Sequence, residues 1–594
     1  MHRLRRAPAV AAFLSIVLFF FYFAGAGLHA YFTSDDVMNL AHLHGYFTIP
    51  AFKVALDVLN PLTSAYRPLG GLFYRLLYPV IGFHPAPFRA VCFLLLLVNL
   101  ALAFRLLLLL SESVEAALIG TLALSYNAAM FELYYNTGTI YDLLCYMLVA
   151  IALSSYIARR KRNCEWSRSY LFGLLVLNLL ALQAKEMACI LPVALLLYEL
   201  CYRRIRVREL APIPATGLLT AASLLHRLLT PNVVSENPLY RPTPSLDFFL
   251  HSCARYHNML LYSNDLFDVP RLLCLWVAMA LLAGVLRSRP MAFGLSFWIA
   301  GLVPIALIPG RAGFVLYLPL IGLALYFAAL LVRLRETVAR IAALPRLASQ
   351  TAIFALCMAG LAVAHAYGKS EVLPGLLQLD RDSRAVLTQL RSIHPQLQPK
   401  AQLLFVDDPF PADSRYLLFG AKLLYNDPTI YVDRVKSQLR LHSFNYVLSY
   451  VEGRLIDLPH LPCPVDPSSS AAPIDDSSLR VCWQGPWTSG EFPQSLGGTV
   501  TFTNQKDATA NIAFEGSSLK YIYTKAYNRG LAAVKIDGVD RGVIDEYSPE
   551  IVWQASTVFD GLKPGKHTAE VRVLHRRDPA GSDSYVDIDA FIPG

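Results

Sequence analysis

Apolar runs long enough to cross a lipid bilayer recur along the first 367 residues, and they limit the possible folds more than any other feature. A membrane-spanning helix needs about 20 predominantly apolar residues. Eleven segments meet or approach this length: 9–30, 86–110, 114–133, 139–158, 169–184, 187–202, 210–230, 270–287, 291–308, 314–332 and 347–367. The sequence therefore predicts a polytopic α-helical membrane domain over residues 1–367, with the amphipathic segment 69–83 on the membrane surface.

The composition agrees with a membrane protein. Hydrophobic residues make up 55% of the chain and charged residues 16%, whereas soluble proteins carry about 25% charged residues. The net charge of +9 comes from arginines in short loops, so nucleic acid is not a predicted partner. CxxC pairs, zinc-type clusters, and the GxGxxG, GxxxxGK[ST] and HExxH motifs are all missing from the sequence, which argues against the corresponding nucleotide and metal sites.

Basic residues cluster in alternate loops and so predict an orientation. Clusters of arginine and lysine lie at 3–6, 159–168, 203–208, 287–289 and 333–346. By the positive-inside rule these segments and the N-terminus are cytoplasmic. The run 9–30 is too long for a cleaved signal sequence, and an odd number of spans places everything after about Tyr367 outside. No Asn-x-Ser/Thr sequon occurs in these outer parts, which favours a bacterial inner membrane with periplasmic C-terminal domains.

The outer part of the chain predicts two domains joined by a linker. Residues 368–458 alternate helix-like stretches (380–393 and 414–425) with strand-like ones (402–406 and 429–432), which indicates a small α/β domain. Residues 459–478 are rich in proline and serine. Residues 479–594 show short alternating strands with Gly and Asp turns, typical of a β-sandwich. Cys463 and Cys482 flank the linker, and whether they form a disulfide stays open.

Acidic and basic side chains converge on the predicted outer membrane face. Asp35 and Asp36 follow directly on the first apolar run, where carboxylates could form a functional site or simply cap the next helix. Other loops on this face contribute Arg67, Glu132, Tyr141, Asp142, Lys185, Glu186 and Arg311. Each has a simpler explanation alone, such as snorkelling of an arginine or a helix-dipole contact of Asp142. Their common side of the membrane favours a site.

The order of these motifs resembles the GT-C superfamily of polytopic glycosyltransferases. Lys185-Glu186 precedes Leu191-Pro192 and a leucine-rich helix, Arg67 stands in the Tyr-Arg-Pro-Leu stretch 66–69, and Arg311 precedes the Leu-Tyr-Leu-Pro stretch 316–319. Together with the acidic pair after the first span, these features resemble protein O-mannosyltransferases, transmembrane-and-tetratricopeptide O-mannosyltransferases and lipid A aminoarabinose transferases. The resemblance covers residues 9–367. Two departures are the missing arginine before Tyr141-Asp142 and the lack of tetratricopeptide repeats.

The resemblance implies an inverting glycosyltransferase that moves a sugar from a polyprenyl-phosphate donor to an outer-face acceptor, which could be a lipid, a glycan or a protein. Asp35 or Asp36 would accept the proton of the acceptor hydroxyl. Arg67, Lys185 and Arg311 would stabilise the leaving phosphate, with Glu132, Tyr141, Asp142 and Glu186 in support. A Mg²⁺ or Mn²⁺ ion on the Asp35–Asp36 pair is left open.

Three other functions stay open. An O-antigen-type polymerase or ligase would use a diphosphate-linked glycan donor. A transporter or flippase of lipid-linked sugars predicts broken helices and charges near the bilayer midplane. In a membrane-anchored glycan receptor the β-sandwich, which resembles carbohydrate-binding modules, would carry the function. Its candidate sugar-stacking aromatics are Trp483, Trp487, Tyr547 and Trp553, for which core packing is the alternative explanation.

Overall fold

A computed structural model describes residues 7–203, 209–230, 241–436, 444–458, 473–478 and 480–594. The chain divides into two compact units, residues 1–384 and 385–594. The domain boundaries predicted at residues 367, 458 and 478 stay predictions. Most of the predicted linker, including Cys463, lies outside the described residues. Cys482 is disulfide-bonded, and eight other cysteines, all outside the β-sandwich, are free.

The first unit is helical. Its helices are α1 (Ala7–Ala24), α2 (Ser34–Met38), α3 (Ala51–Leu59), α4 (Pro68–Ile81), α5 (Pro85–Ser111), α6 (Val114–Ser125), α7 (Glu132–Tyr135), α8 (Ile140–Lys161), α9 (Arg168–Ala184), α10 (Ile190–Tyr202), α11 (Pro212–Leu229), α12 (Leu246–Leu260), α13 (Val269–Val285), α14 (Arg289–Ala306), α15 (Leu320–Ile341) and α16 (Arg346–Ile393). The last of these, α16, runs past the boundary between the two units.

Within the described residues, five helical segments are long and apolar enough to span a membrane: Pro8–His29, Pro85–Ser111, Thr137–Lys161, Arg289–Ala306 and Arg346–Ile393. The predicted count of eleven spans is therefore not confirmed. The predicted span 114–133 divides, because α6 ends at Ser125 and the chain continues through a 3₁₀ turn into α7. The predicted pair 169–184 and 187–202 forms helices of 17 and 13 residues, shorter than the roughly 20 residues of a full span.

The predicted amphipathic segment 69–83 is helical, as α4. Proline at its first position fixes a φ angle that suits a helix start. Arg67, which precedes it, has a left-handed backbone conformation with φ 40°. That conformation is uncommon for arginine; here it turns the chain sharply into α4. Helix α3 was not predicted; it packs against α4, and both helices expose large apolar side chains such as Phe52 and Val80.

The second unit begins with a small α/β sheet. Its strands are β1 (Gln402–Phe405), β2 (Tyr431–Arg434), β3 (Tyr446–Val451) and β4 (Arg454–Leu458), in the order β2-β1-β3-β4. Strand β1 pairs in parallel with β2 and β3, and β4 closes the edge antiparallel to β3. Helix α17 (Tyr416–Tyr425) connects β1 to β2. The predicted segments 402–406, 414–425 and 429–432 overlap β1, α17 and β2, whereas β3 and β4 were not predicted. The predicted separate helix 380–393 is the end of α16.

Among the described residues, twelve further strands form the C-terminal β region, whose core is apolar. They are β5 (Ile474–Asp475), β6 (Val481–Gln484), β7 (Thr488–Glu491), β8 (Thr499–Thr503), β9 (Thr509–Gly516), β10 (Leu519–Lys525), β11 (Gly530–Ile536), β12 (Val539–Asp545), β13 (Val552–Phe559), β14 (Gly565–Arg577), β15 (Val586–Ile588) and β16 (Ala590–Pro593). They make sheets of five (β12-β11-β14-β9-β6), four (β13-β10-β16-β5) and three strands (β15-β8-β7). Phe514, Tyr521 and Val573 are among the residues of their common buried core.

The 3₁₀ helix that follows α1 (Gly25–His29) approaches α7 closely at Gly27. A Cβ atom on Gly27 would lie 2.0 Å from the carbonyl oxygen of Tyr134, whereas one on Gly25 would meet nothing nearer than 3.9 Å. We expect Gly27→Ala to cost about 1–3 kcal/mol of unfolding free energy, because backbone atoms must move apart. Gly25→Ala is the matched control. Thermal unfolding in detergent should show a lower midpoint for Gly27→Ala only; equal midpoints would contradict this packing.

Candidate active site

Asp36 is a buried carboxylate whose oxygens are fully occupied. Its side chain is 1% exposed and forms a capping box with Thr33 at the start of α2, accepting from the Thr33 amide at 2.8 Å. The Thr137 hydroxyl donates to it at 2.5 Å and the Gly138 amide at 3.1 Å. Arg89 completes the set at 3.1 Å. Four donors occupy the lone pairs of the Asp36 carboxylate. Asp36 therefore has a structural role and is not placed to accept a proton from a substrate.

Arg89 is the counter-ion that the sequence analysis missed. It lies in the first turns of α5, is 1% exposed, and also donates to the Tyr31 carbonyl at 2.6 Å. A charged side chain within an apolar run is costly unless it is paired. This rule could have singled out Arg89, which lies inside the predicted span 86–110, but the sequence does not say which acid pairs with it.

Asp35, the neighbouring carboxylate, is accessible. Its side chain is exposed and accepts one hydrogen bond, from the Asn136 amide at 2.9 Å. Surrounding protein still desolvates the carboxyl group, and this together with the charge of Asp36 raises its pKa, although the Asn136 hydrogen bond acts in the opposite direction. An exposed carboxylate with a raised pKa has the properties of a general base.

Glu132 brings a second acidic group to the same place. It is half-buried at the start of α7. Partial burial, followed by the charges of Asp35 and Asp142, raises its pKa to about 7, against the opposing effect of Lys185. These interactions join residues from α2, α7, α8 and the α9–α10 turn into one cluster. Glu132 is therefore largely neutral below pH 7 and negatively charged above it.

Lys185 is buried and paired. Its Nζ lies 2.5 Å from an oxygen of Asp142 and 4.9 Å from the centre of the Phe314 ring. A buried ammonium needs such a partner. The sequence analysis placed both residues on one face but did not predict this ion pair, which reduces the charge that Lys185 can offer to an anionic ligand.

Glu186 joins two arginines. Arg67 donates to one of its oxygens through Nε at 3.0 Å and a terminal nitrogen at 2.8 Å, and Arg227 of α11 contacts the other at 3.0 Å. Burial by itself would raise the pKa of Glu186, but the two arginines outweigh burial and lower the pKa to about 2. Two guanidinium groups on one carboxylate leave an excess of one positive charge.

Sequence reasoning missed Arg227, because it lies inside the predicted span 210–230 and belongs to no recognised motif. Arg67 is fixed further by the rings of Tyr66 and Tyr141, whose centres lie 4.8 and 5.4 Å from its guanidinium carbon. Such cation–π contacts hold a guanidinium plane in one orientation. Arg311, the third predicted cation, lies near the Tyr256 hydroxyl of α12.

Tyr141 belongs to a buried hydrogen-bond chain that leads to the backbone of Asp35. Its hydroxyl contacts the His44 Nε2 at 2.7 Å and donates to the Asn39 side chain, and Asn39 donates to the Asp35 carbonyl at 2.8 Å. Burial, then the charges of Arg67 and Arg75, lower the pKa of His44 to about 3, so its ring is neutral. His44 was not predicted, because a lone histidine carries no spacing signal.

The Asp35–Asp36 pair does not suit a divalent cation. The oxygens of Asp36 are taken by four donors, one of them the cationic Arg89, whereas Mg²⁺ and Mn²⁺ need free carboxylate oxygens. In the part of the chain that the structure describes, no group of three or more His, Cys, Asp or Glu side chains is arranged to hold a metal ion. No step of the reaction is therefore assigned to a metal on these residues.

The predicted sugar-stacking aromatics of the β region differ in exposure. Trp487 is 6% exposed and belongs to the buried core, so its faces are not available to a sugar ring. Trp483 is half-buried, and the centre of its ring lies 4.7 Å from that of Trp487. Trp553 is half-buried, and the centre of its ring lies 5.3 Å from that of Phe492. Tyr547 is half-buried as well. Sugar binding by the last three stays a prediction.

Comparison with profiles of known protein families finds no match. Among curated proteins, an A type blood N-acetyl-α-D-galactosamine deacetylase from Flavonifractor plautii is 31% identical over 108 residues. These residues make up 18% of this chain and 14% of that enzyme, so the chain spans about a seventh of the relative's length. The match concerns one segment of 108 residues.

Solved structures give likenesses with low TM-scores. Arabinofuranosyltransferase AftD from Mycobacteria is 13% identical over 98% of this chain and 61% of that chain, with a TM-score of 0.37. A xanthan lyase from Paenibacillus matches 23% of this chain and 14% of that chain, with 13% identity and a TM-score of 0.19. An exo-β-1,3-galactanase from Phanerochaete chrysosporium matches 21% of this chain and 29% of that chain, with 13% identity and a TM-score of 0.16. None of these values establishes a shared fold.

The two adjacent aspartates should differ in their effect on stability. Asp36→Asn leaves the buried guanidinium of Arg89 without a counter-charge, which we expect to cost about 3–5 kcal/mol. Asp35→Asn changes an exposed group and should cost less than about 0.5 kcal/mol. Thermal unfolding of both variants in detergent measures the difference. Similar midpoints for the two variants would show that Asp36 is not the buried anchor.

Proposed function

We propose that this protein is a membrane glycosyltransferase that moves a sugar from a polyprenyl-phosphate donor to an acceptor hydroxyl on the outer face of the membrane, with inversion. The observation that carries the proposal is one cluster of acidic and basic side chains contributed by several chain segments. It combines an exposed carboxylate of raised pKa, Asp35, with the excess positive charge of Arg67 and Arg227 on Glu186. Lys185, paired with Asp142, lies in the same cluster.

Asp35 is the proposed general base. As the acceptor oxygen attacks the anomeric carbon, its proton passes to the Asp35 carboxylate, and the bond between the anomeric carbon and the phosphate oxygen breaks. The electron pair of that bond leaves with the lipid phosphate. Attack from the side opposite the phosphate inverts the anomeric centre. A base held within hydrogen-bond reach of the attacking hydroxyl contributes roughly 10²- to 10⁴-fold to the rate.

Arg67 and Arg227 are the proposed phosphate ligands. Negative charge grows on the phosphate as the glycosidic bond breaks, and fixed guanidinium groups stabilise it without reorganising. Arginine suits this role because its planar fork matches two phosphate oxygens at once. Lys185 is the weaker candidate, since Asp142 already neutralises it. The exposed apolar side chains of α3 and α4 fit a surface along which a lipid chain could lie.

Replacing Asp35 is the direct test of this proposal. Purified protein in lipid nanodiscs would receive radiolabelled polyprenyl-phosphate sugars and bacterial envelope extract. We expect Asp35→Asn to lower the transfer rate by about 10²-fold or more, since the base is lost, with donor binding retained. Asp382→Asn, a carboxylate on α16, is the matched control.

The possible results separate the alternatives. Full transfer by Asp35→Asn would contradict the assigned base. If wild type consumes no donor but moves labelled lipid between leaflets, the protein is a flippase. Transfer only from a diphosphate-linked glycan would establish the polymerase or ligase instead.

Donor binding should weaken above pH 7. The pKa of Glu132 is about 7, and the nearby cation that acts on it is Lys185. As pH rises, this side chain therefore gains a negative charge close to Lys185, the weaker candidate for a phosphate ligand. A nearby like charge costs about 1 kcal/mol, so the apparent KM for the donor should rise roughly fivefold between pH 6 and pH 9. The variant Glu132→Gln stays neutral and should show a flat KM over this range. A KM rise that persists in Glu132→Gln would exclude this explanation.

A further inference from the structure

Three side chains of α16 bind the backbone of the last turn of α1 and of the segment that follows it, outside the site described above. Lys369 donates to the Phe23 carbonyl at 2.8 Å, and Arg384 donates to the His29 carbonyl at 2.7 Å. The carboxylate of Asp380 accepts the Tyr31 amide. The last carbonyls of a helix lack partners within the helix, and cations are favourable at that end. Lys369 and Arg384 therefore donate to carbonyl groups that would otherwise lack a hydrogen-bond partner.

Tyr31 is held on both sides. Its amide binds Asp380, its carbonyl accepts from Arg89 at 2.6 Å, and its ring lies 5.2 Å from the guanidinium carbon of Arg384. Asp380 and Arg384 are one helical turn apart, with 3.9 Å between their charged atoms. The same Arg89 binds Asp36. A continuous set of contacts thus runs from α16 through Tyr31 to α2, which carries Asp35.

We propose that Asp380 and Arg384 are positioning residues, which fix the segment 29–31 and thereby the location of Asp35 in the active site. The proposal rests on the transferase function given above. Asp35 lies four residues after Tyr31, with no helix between Tyr31 and Thr33 to hold its place. Displacing a catalytic group by about 1 Å costs on the order of 100-fold in rate, so a contact that fixes this short segment affects catalysis without touching the substrate.

Hydrogen exchange tests the contact without any activity. In Asp380→Ala the Tyr31 amide loses its acceptor, so peptides covering residues 29–36 should exchange roughly tenfold faster than in wild type. Asp380→Asn keeps an oxygen acceptor and should exchange close to the wild-type rate. Asp382→Ala, on the same helix, is the control. Unchanged exchange in Asp380→Ala would overturn the proposal, whether or not the protein transfers sugar.

Kinetics test the consequence for catalysis. We expect Asp380→Ala and Arg384→Ala to lower kcat by roughly 10- to 100-fold with little change in the donor KM, and Asp380→Asn to recover most of kcat. Arg381→Ala, an exposed arginine on α16, should behave as wild type. Faster exchange with unchanged kcat would overturn the positioning role. A wild-type protein that transfers no sugar would refute the proposed function, while the exchange result would still decide whether α16 holds the segment.

Discussion

The buried ion pair between Asp36 and Arg89 is the contact on which the proposed site depends. Removing two charges from water is expensive, and the cost is met only when hydrogen bonds satisfy both groups. Here the carboxylate receives four donors, and they come from the start of α2, from α5 and from the turn before α8. The pair thereby ties three segments together and brings Asp35 next to Asn136.

Two neighbouring carboxylates consequently have different tasks. Asp36 is enclosed and saturated with donors, whereas Asp35 is exposed and accepts one hydrogen bond. The basic residues of the cluster also differ in how far their charge is neutralised. Asp142 neutralises Lys185, whereas Arg67 and Arg227 share the single carboxylate of Glu186. The charge of a side chain alone does not distinguish Asp35 from Asp36, or Lys185 from the two arginines. Their partners do, because partners decide which oxygen or guanidinium remains able to act on a substrate.

The sequence was most informative where the signal is local. Long apolar runs predicted helices such as α5 and α8, and the strand-like stretch 402–406 predicted β1. The predicted span 114–133 does not form one helix, because α6 ends at Ser125 although the apolar composition continues past that residue. Some members of the candidate site could be proposed from the sequence, and others could not. Asp35, Lys185 and Glu186 stand beside recognisable motifs, whereas Arg89, Arg227 and His44 lie in or near apolar segments and acquire their roles only through tertiary contacts.

A structure with a bound donor analogue tests the central claim most directly. The protein in nanodiscs would be incubated with a polyprenyl phosphonate sugar, which cannot undergo transfer. Cryo-electron microscopy would then locate the density of this analogue. We expect the phosphonate within about 3 Å of Arg67 and Arg227, with the anomeric carbon between the phosphonate and Asp35. Density for the phosphonate at the opposite membrane face, or against α16 far from Asp35, would contradict this expectation.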